Sequence, residues 1–509
     1  MTWIGRENMK NPIKFLFSSE ESDTKVANNR LLSYAIGLAG QNMNYNFVSQ
    51  RLFVFLNAVM GIKPEKTGWI TSVSTLWDAV NDPIIGTLID SRKFKPGRKL
   101  RPFLLYLPPL IGVLTALMFF DFGMNETQTI VMVVAVYLMV DIFYSVQDVA
   151  LWGMLPLSSP HSEERARVSQ WVTIGAGAGA SIAGLFPTIK DMIINSGLAT
   201  EKNAYFIGAA VFGFGGMIIS MLAYRMKEKV YTQAEERESV LKTLSTLRYN
   251  KTLIIICLAR LLGGITLTLP WEYFFESQGI SYHVFGLELT GGTMQVLYGL
   301  IPGIPGAFAM FFAAKFANRI GGMKKVLVIS EIGQILIRTV AFFLGSNDRF
   351  LNGGILISIM VLISIMNIPI NMKDIAHRSL ISDSIDEVEL KTGERTEGIS
   401  FSMQNFISKL TSAESKFIQG YLLKFLKFDN NVKRPAGKNP IGYQTGRFLK
   451  YRWHQFMLGP VVGSILYLIV ILFLDDDREH MAEVERQLKL KREAEQPQEE
   501  AFEMIEAES

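Results

Sequence analysis

Runs of apolar residues, each about 20 long and so able as a helix to cross the hydrocarbon core of a bilayer, recur along almost the whole chain. They fall near 31–58, 67–90, 102–121, 129–157, 166–189, 204–225, 251–275, 290–314, 324–345, 352–380, 398–425 and 454–474. A bare peptide group is costly in lipid, so each span is predicted to be helical. The pattern predicts an all-α membrane protein with twelve transmembrane helices. A long charged stretch, 226–250, parts six spans from the next six, which implies an N-terminal bundle (31–225) and a C-terminal bundle (251–474). No residue-level repeat relates the two. The segment 1–30 is polar, without a leader-like apolar run, and no cleavage is expected. From Asp475 to the end the chain turns rich in Glu, Lys, Arg and Gln and reads as a solvated helix fading into an acidic tail.

The charged connections set the expected orientation. The 2–3 connection holds Arg92, Lys93, Lys95, Arg98, Lys99 and Arg101, and the 6–7 and 8–9 connections are also basic, whereas the 3–4 connection holds Asp121 and Glu126. The positive-inside rule then places both termini in the cytoplasm, and the protein is expected in the cytoplasmic (inner) cell membrane. The 11–12 connection, with Lys433, Arg434, Lys438, Arg447, Lys450 and Arg452, falls on the wrong side by this count. Either the rule weakens there or the span near 398–425 is miscounted. Of 509 residues, 49% are hydrophobic and 19% charged, against about 25% charged in soluble chains. The single cysteine, Cys257, excludes a disulfide framework and reads as inert packing. No P-loop, HExxH or nucleophile elbow is present and no nucleophile–base set can be assembled, so enzyme and ATP-driven pump readings are set aside. Nucleic acid is not an expected partner.

An ionisable side chain at the centre of a span costs ~2.5–3.5 kcal/mol unless it is paired, hydrated or bound to an ion. In the second span, Asp78 and Asp82 stand i,i+4 on one helix face with Asn81 beside them. Two close carboxylates repel unless a cation or proton offsets them, and a hard cation such as Na⁺ takes oxygen donors of this kind. The fourth span carries Asp141, Tyr144, Ser145, Asp148 and Trp152 along one stripe, suited to sugar hydroxyls and to the apolar face of a sugar ring, or to a plain water-lined wall. The first span carries Gln41, Asn42, Asn44, Asn46, Gln50 and Arg51, open to reading as helix glue or as solute contacts. Lys409, in the eleventh span with Glu414 and Lys416 further along, needs a carboxylate, and the second and fourth spans supply candidates. Arg260, Glu272, Arg338, Lys373 and Asp374 read as snorkelling groups or gating pairs. Gly175 and Gly179 read as a close helix contact.

Three signatures resemble the glycoside–pentoside–hexuronide:cation symporters, the melibiose-carrier branch of the major facilitator superfamily. One runs from Trp77-Asp78-Ala79-Val80-Asn81-Asp82-Pro83 through Asp90-Ser91-Arg92 to Arg101-Pro102-Phe103. Another is Asp148 and Trp152 with Pro156, Glu164 and Arg165 following. The third is Asp383, Asp386 and Thr392-Gly393-Glu394-Arg395-Thr396-Glu397-Gly398, leading into the helix that bears Lys409. The resemblance implies the two-bundle superfamily fold and cation binding at Asp78 and Asp82, with Asn81, Ser145 and Asp148. It implies sugar contacts at Asp148 and Trp152, joined in the expected substrate set by Gln41, Asn42, Tyr144, Thr173 and Lys409. A cytoplasmic latch of Asp90, Arg92, Arg165, Asp383, Asp386, Arg395 and Glu397 is expected when the carrier faces outward. An Asn at position 81 goes with Na⁺ use in this family, so Na⁺ is favoured over H⁺. Gln41-Asn42 stand where the melibiose carrier has a Lys-Asp pair, and Thr173 approximately where it has an Arg, so the substrate is not expected to be melibiose.

The expected function is therefore secondary active symport of a sugar or glycoside with a coupling cation, with no resident cofactor and the lipid bilayer as surroundings. A lipid or lysolipid carrier and a sensor that binds solute without moving it are the alternatives. The first would show an apolar groove open to lipid, and the second would show no flux.

Overall fold

A computed structural model describes residues 25–90, 99–229, 250–277, 282–284, 286–392, 397–435 and 438–474, with 483–484, 486–488 and 490 in the tail. The first half holds α1 (Asn28–Val54), α2 (Pro64–Asp90), α3 (Arg101–Met118), α4 (Glu126–Leu157), α5 (Ser162–Gly184), α6 (Phe186–Asn195), α7 (Glu201–Gly208) and α8 (Gly216–Ser220). The second holds α9 (Lys251–Gly263), α10 (Glu272–Phe275), α11 (Gly291–Ala309), α12 (Ala313–Ile320), α13 (Met323–Gly345), α14 (Gly353–Thr392), α15 (Glu397–Phe425) and α16 (Gly446–Ile471). A π-helical turn, Phe55–Val59, extends α1 and another, Ala209–Gly215, joins α7 to α8. A two-stranded antiparallel hairpin, β1 (Tyr282–Val284) and β2 (Leu287–Leu289), lies between α10 and α11.

Counting α5–α6, α7–α8, α9–α10 and α11–α12 as one crossing each gives twelve helical crossings among the described residues. Eight of them are long and apolar enough to span a membrane by composition alone. Of the other four, α1, α2 and α15 are diluted by polar residues, many of which face the central cavity described below, and α9–α10 is broken into helices of 13 and 4 residues. The tail and the 6–7 connection lie largely outside the described residues.

Local sequence explains the helix ends and breaks. Asn125 caps α4 by accepting from Gln128 N at 2.9 Å, and the Gln128 side chain in turn accepts from Asn125 N at 3.3 Å. Pro187 sits in the first turn of α6, where it starts a fresh helix after Leu185. The seventh span is not the continuous helix that its hydropathy predicts. After Gly263-Gly264 the chain runs non-helically to Pro270 before the short α10. Its backbone donors are met by α16, with Leu267 N donating to Gly459 O at 3.2 Å and Leu269 N to the Gln455 side chain at 2.9 Å. Side chains on α16 are absent where they would collide: a Cβ at Gly459 would meet Leu267 O at 2.2 Å, and one at Gly463 would meet Gly263 O at 2.3 Å. Irregular backbone at membrane depth is stable when it is buried in protein or lines a wet cavity, and this stretch does both.

Gly175 and Gly179 let α5 lie directly on α1, since a Cβ at either would stand 2.1 Å from the carbonyl oxygen of Ala35 or Ala39. At the end of the molecule bearing the 1–2, 5–6 and 7–8 connections, one apolar cluster runs across both halves, joining Phe53, Phe55 and Phe119 to Tyr273, Phe428 and Phe448. At the opposite end each half keeps its own cluster, one around Leu31, Leu104 and Met154 and the other around Ile256, Leu327 and Ile381. The halves are thus sealed together at one end.

The 11–12 connection belongs to this sealed end, as the twelve-span count requires. Asn430 donates to Gly61 O and Ile62 O, both at 3.0 Å, and Asn439 to Glu201 at 3.0 Å and Glu276 at 2.9 Å. Its arginines serve local structure: Arg434 bonds the carbonyls of Asn430, Val432 and Lys438, Arg447 that of Phe425, and Arg452 pairs with Asp348 at 2.7 Å.

Candidate functional site

A cavity of about 1050 Å³ lies between the halves, walled by α1, α2, α4, the non-helical seventh-span stretch, α11 and α15. Its lining runs from Arg51 and Glu272, at the sealed end, to Trp152, a little over one turn from the end of α4.

The i,i+4 spacing puts Asp78 and Asp82 together on the inner face of α2. Lys409 of α15 reaches between them, its Nζ 2.8 Å from Asp78 Oδ1 and bonded also to Asp82 Oδ2. Ser145 donates to Asp82 Oδ1 at 2.8 Å. Asn81 is buried behind this group and donates to Asp141 Oδ2 at 3.1 Å and to Ser145 Oγ at 3.2 Å. Two carboxylates thus flank one ammonium, and a third, Asp141, joins the cluster through Asn81. The cluster is wet, since the Asp82 side chain keeps 39% of its surface accessible. The sequence expectation puts Na⁺ at Asp78 and Asp82; the structure holds the Lys409 ammonium in that place.

Along α4, Asp148 accepts from Gln41 Nε2 at 2.6 Å, and Gln41 in turn accepts from Asn42 Nδ2 at 3.2 Å. Tyr144 stacks on Tyr45 with ring centres 5.9 Å apart. Gln41, Asn42, Tyr45, Tyr144, Asp148 and Trp152 all face the cavity, a mixture of hydrogen-bonding edges and flat apolar faces. Arg51 forms an ion pair with Glu272, both almost wholly buried. Below this pair Tyr273 donates to Asn57 Oδ1 at 2.6 Å.

The sequence model of the MFS/sugar transport protein family matches residues 33–478. The chain belongs to that family. The transporter is 26% identical over 464 residues to an uncharacterized symporter, YjmB, of Bacillus subtilis, covering 90% of this chain and 94% of the relative. It is 23% identical to the isoprimeverose transporter of Lactiplantibacillus pentosus, covering 88% of each. Among solved structures it resembles a bacterial homolog of the human lysosomal transporter Spinster, with a TM-score of 0.56 at 10% identity over 87% of this chain and 95% of that one. That likeness speaks for the fold alone.

Other expected site residues of the transporter lie elsewhere. Thr173 does not line the cavity: it is exposed on α5 and its hydroxyl bonds back to Ser169 O at 2.9 Å. The glycine contacts that press α5 onto α1 fix which face of α5 turns inward, and Thr173 is off it. Arg165 bonds the carbonyls of Ser159 and Pro160, at 3.2 and 2.8 Å, in its own connection. Asp383 and Asp386 lie in the last turns of α14, which runs on beyond the expected end of its span to Thr392. Arg92 and Arg395, and the side chains of Asp90 and Glu397, lie outside the described residues. The sequence reading places Asp141 on the inner stripe without a role; its bond from Asn81 brings it into the charge cluster. The gating reading left Glu272 without a partner, and the structure supplies Arg51. Arg260 instead bonds Ser408 at 2.7 Å, Lys373 pairs with Glu331, and Arg338 bonds Phe456 O at 3.3 Å, all within the second half.

Proposed function

We propose that this transporter moves a sugar or glycoside inward across the cytoplasmic membrane together with a cation, Na⁺ ahead of H⁺, with both termini in the cytoplasm. The observation that carries the reading is the cluster of Asp78, Asp82 and Asp141 around the single ammonium of Lys409, in a wet cavity shared with Asp148 and Trp152. One ammonium leaves the carboxylates under-compensated, so a mobile cation is attracted there. On arrival it competes with Lys409 for Asp78 and Asp82, and a displaced Lys409 is then available to a solute oxygen. This exchange is a direct physical route by which cation binding raises solute affinity. Trp152 and Tyr144 offer ring faces to the apolar side of a sugar, while Asp148, Gln41 and Asn42 offer acceptors and donors to its hydroxyls. The transporter kinship of the chain and the sugar named for its isoprimeverose-carrying relative agree with this solute class. By this reading the sealed end faces outward, and the membrane potential drives the loaded carrier with ~2.3 kcal/mol per charge per 100 mV.

The test is flux into proteoliposomes under an imposed Na⁺ gradient, with counterflow across a panel of glycosides in Na⁺, Li⁺ or H⁺ alone. Asp82→Asn is expected to abolish cation-driven accumulation. Sodium-dependent uptake at the parent rate in that variant would end the proposed cation role. Solute binding without flux would point to a sensor.

A further inference from the structure

Of the three cations that face the cavity, Arg51 and Lys409 have carboxylate partners. Lys416 does not: among the described residues no carboxylate oxygen lies within ion-pair distance, and its Nζ donates to Thr75 Oγ1 at 2.8 Å. The hydroxyl proton of Thr75 goes to Thr71 O at 2.9 Å, so Thr75 acts towards Lys416 purely as a neutral acceptor. An ammonium has three donors, and two remain unanswered by protein. Lys416 follows Lys409 by two helical turns, ~10 Å along the same face of α15, between the charge cluster and the sealed end. The cavity wall beside it offers the neutral groups Thr71, Ser412, Ser415 and Gln419, and the carboxylate that acts on it from beyond ion-pair distance, Asp78, is already paired with Lys409.

A cation held at membrane depth by one hydroxyl is costly, and the cost is removed when a counter-charge arrives. A neutral sugar presents only hydroxyls, which the amides and hydroxyls of this wall satisfy without a formal charge. Resting on the sugar reading above, we infer that the solute is an acidic sugar whose carboxylate or sulfonate docks on Lys416. Of the two cavity-facing lysines of α15, Lys409 takes part in the cation exchange described above and Lys416 takes the anionic group of the solute. An ammonium acts as a point charge, so it takes either anion; Asp148, Gln41 and Asn42 remain for the hydroxyls of the ring.

Entrance counterflow with the purified full-length protein in liposomes tests this, using methyl β-glucoside, methyl β-glucuronide and the 6-sulfonated methyl glucoside, with the corresponding galacto series. The acidic members are expected to exceed the neutral ones at least about tenfold in kcat/KM, the size of one charge-assisted hydrogen bond. The two anion arms show which acid is carried. Lys416→Gln is expected to bring the acidic-to-neutral ratio to about one, and Lys416→Arg to keep most of the preference. The acidic-to-neutral ratio is taken within one preparation, so it is independent of folded yield. A ratio near unity in the parent protein, or one that Lys416→Gln leaves unaltered, overturns the inference. An equal loss for both classes with altered Na⁺ dependence also overturns it, by assigning Lys416 to the cation machinery. Exchange of neutral glycosides alone defeats the inference and spares the sugar reading; exchange of no glycoside of either class defeats both.

Discussion

The ion pair of Arg51 and Glu272 is the clearest case of a residue-level contact with a molecular consequence. Both side chains are almost wholly buried, and they join α1 of one half to α10 of the other. Removing one partner of a buried pair strands the other charge, typically at ~3–5 kcal/mol, whereas replacing both removes the pair and the penalty together. Glu272→Gln alone is therefore expected to shift the molecule towards opening at its sealed end, and Arg51→Gln with Glu272→Gln to shift it less than the single changes added together. Distances between spin labels across that end, in a Cys257→Ser background, measure the shift; equal and additive effects would mean that the pair does not hold the seal. Asp78, Asp82, Asp148 and Lys409 are legible in the sequence because each interrupts an apolar run, where only function or a partner repays the insertion cost. Arg51 is visible on the same ground, but nothing in the chain names Glu272 as its partner, because that pairing exists only once the halves meet. Thr173 shows the converse: its position in a family pattern places it near the site, while the local packing of α5 turns its hydroxyl back to Ser169.

Elements differ in how much of them hydropathy reveals. The spans that mostly face lipid or helix neighbours are continuous apolar runs and are easily found. The crossings α1, α2 and α15 face the cavity and carry much of its polar lining, so they read as the weakest spans although they hold Gln41, Asp78, Asp82 and Lys409. The break after Gly263-Gly264 escapes a hydropathy reading because Ile265, Leu267 and Leu269 keep the stretch apolar; what makes it possible is the glycine-lined groove on α16. That groove predicts a contrast. Gly459→Leu forces a side chain towards Leu267 O, which a Cβ alone would already meet at 2.2 Å. Overpacking of this kind costs about 1–3 kcal/mol, so a lowered Tm of the detergent-solubilised protein is expected. Gly184→Ala, where a Cβ meets nothing within 4 Å, is expected to leave Tm unchanged or slightly raised. Equal melting of the two variants would show that the docking of the seventh-span stretch onto α16 contributes nothing to stability.

At the scale of the whole molecule, the chain's division into halves is visible as the charged stretch at 226–250, but how the halves meet is not, because those contacts link residues far apart in sequence. The 11–12 connection illustrates this. Its cations argue against its side by a rule of averages, and only the bonds of Asn430 and Asn439 explain what it does: it clasps the 1–2 connection and the Glu201–Glu276 edge at the sealed end. The halves approach closely at the crossing of α2 and α15, where a Cβ on Gly68 would stand 2.9 Å from the Gly420 Cα. If transport proceeds by rocking of two bundles about a central site, these helices must part at every cycle. Glycines are needed there, but Glu65 of α2 and Lys424 of α15 face each other across the same crossing, Oε1 to Nζ 3.4 Å, so cysteines at those two positions, in a Cys257→Ser background, can be bridged by a short reducible bis-methanethiosulfonate. Cross-linking of Glu65→Cys with Lys424→Cys is then expected to stop exchange in proportion to the cross-linked fraction, while solute binding measured on the same sample persists, because the cavity stays reachable from the opposite end. Reductant should restore exchange. Full-rate exchange by completely cross-linked protein would mean that solute crosses without the sealed end opening, and the two-bundle mechanism would have to be given up for one in which both halves stay fixed around the charge cluster.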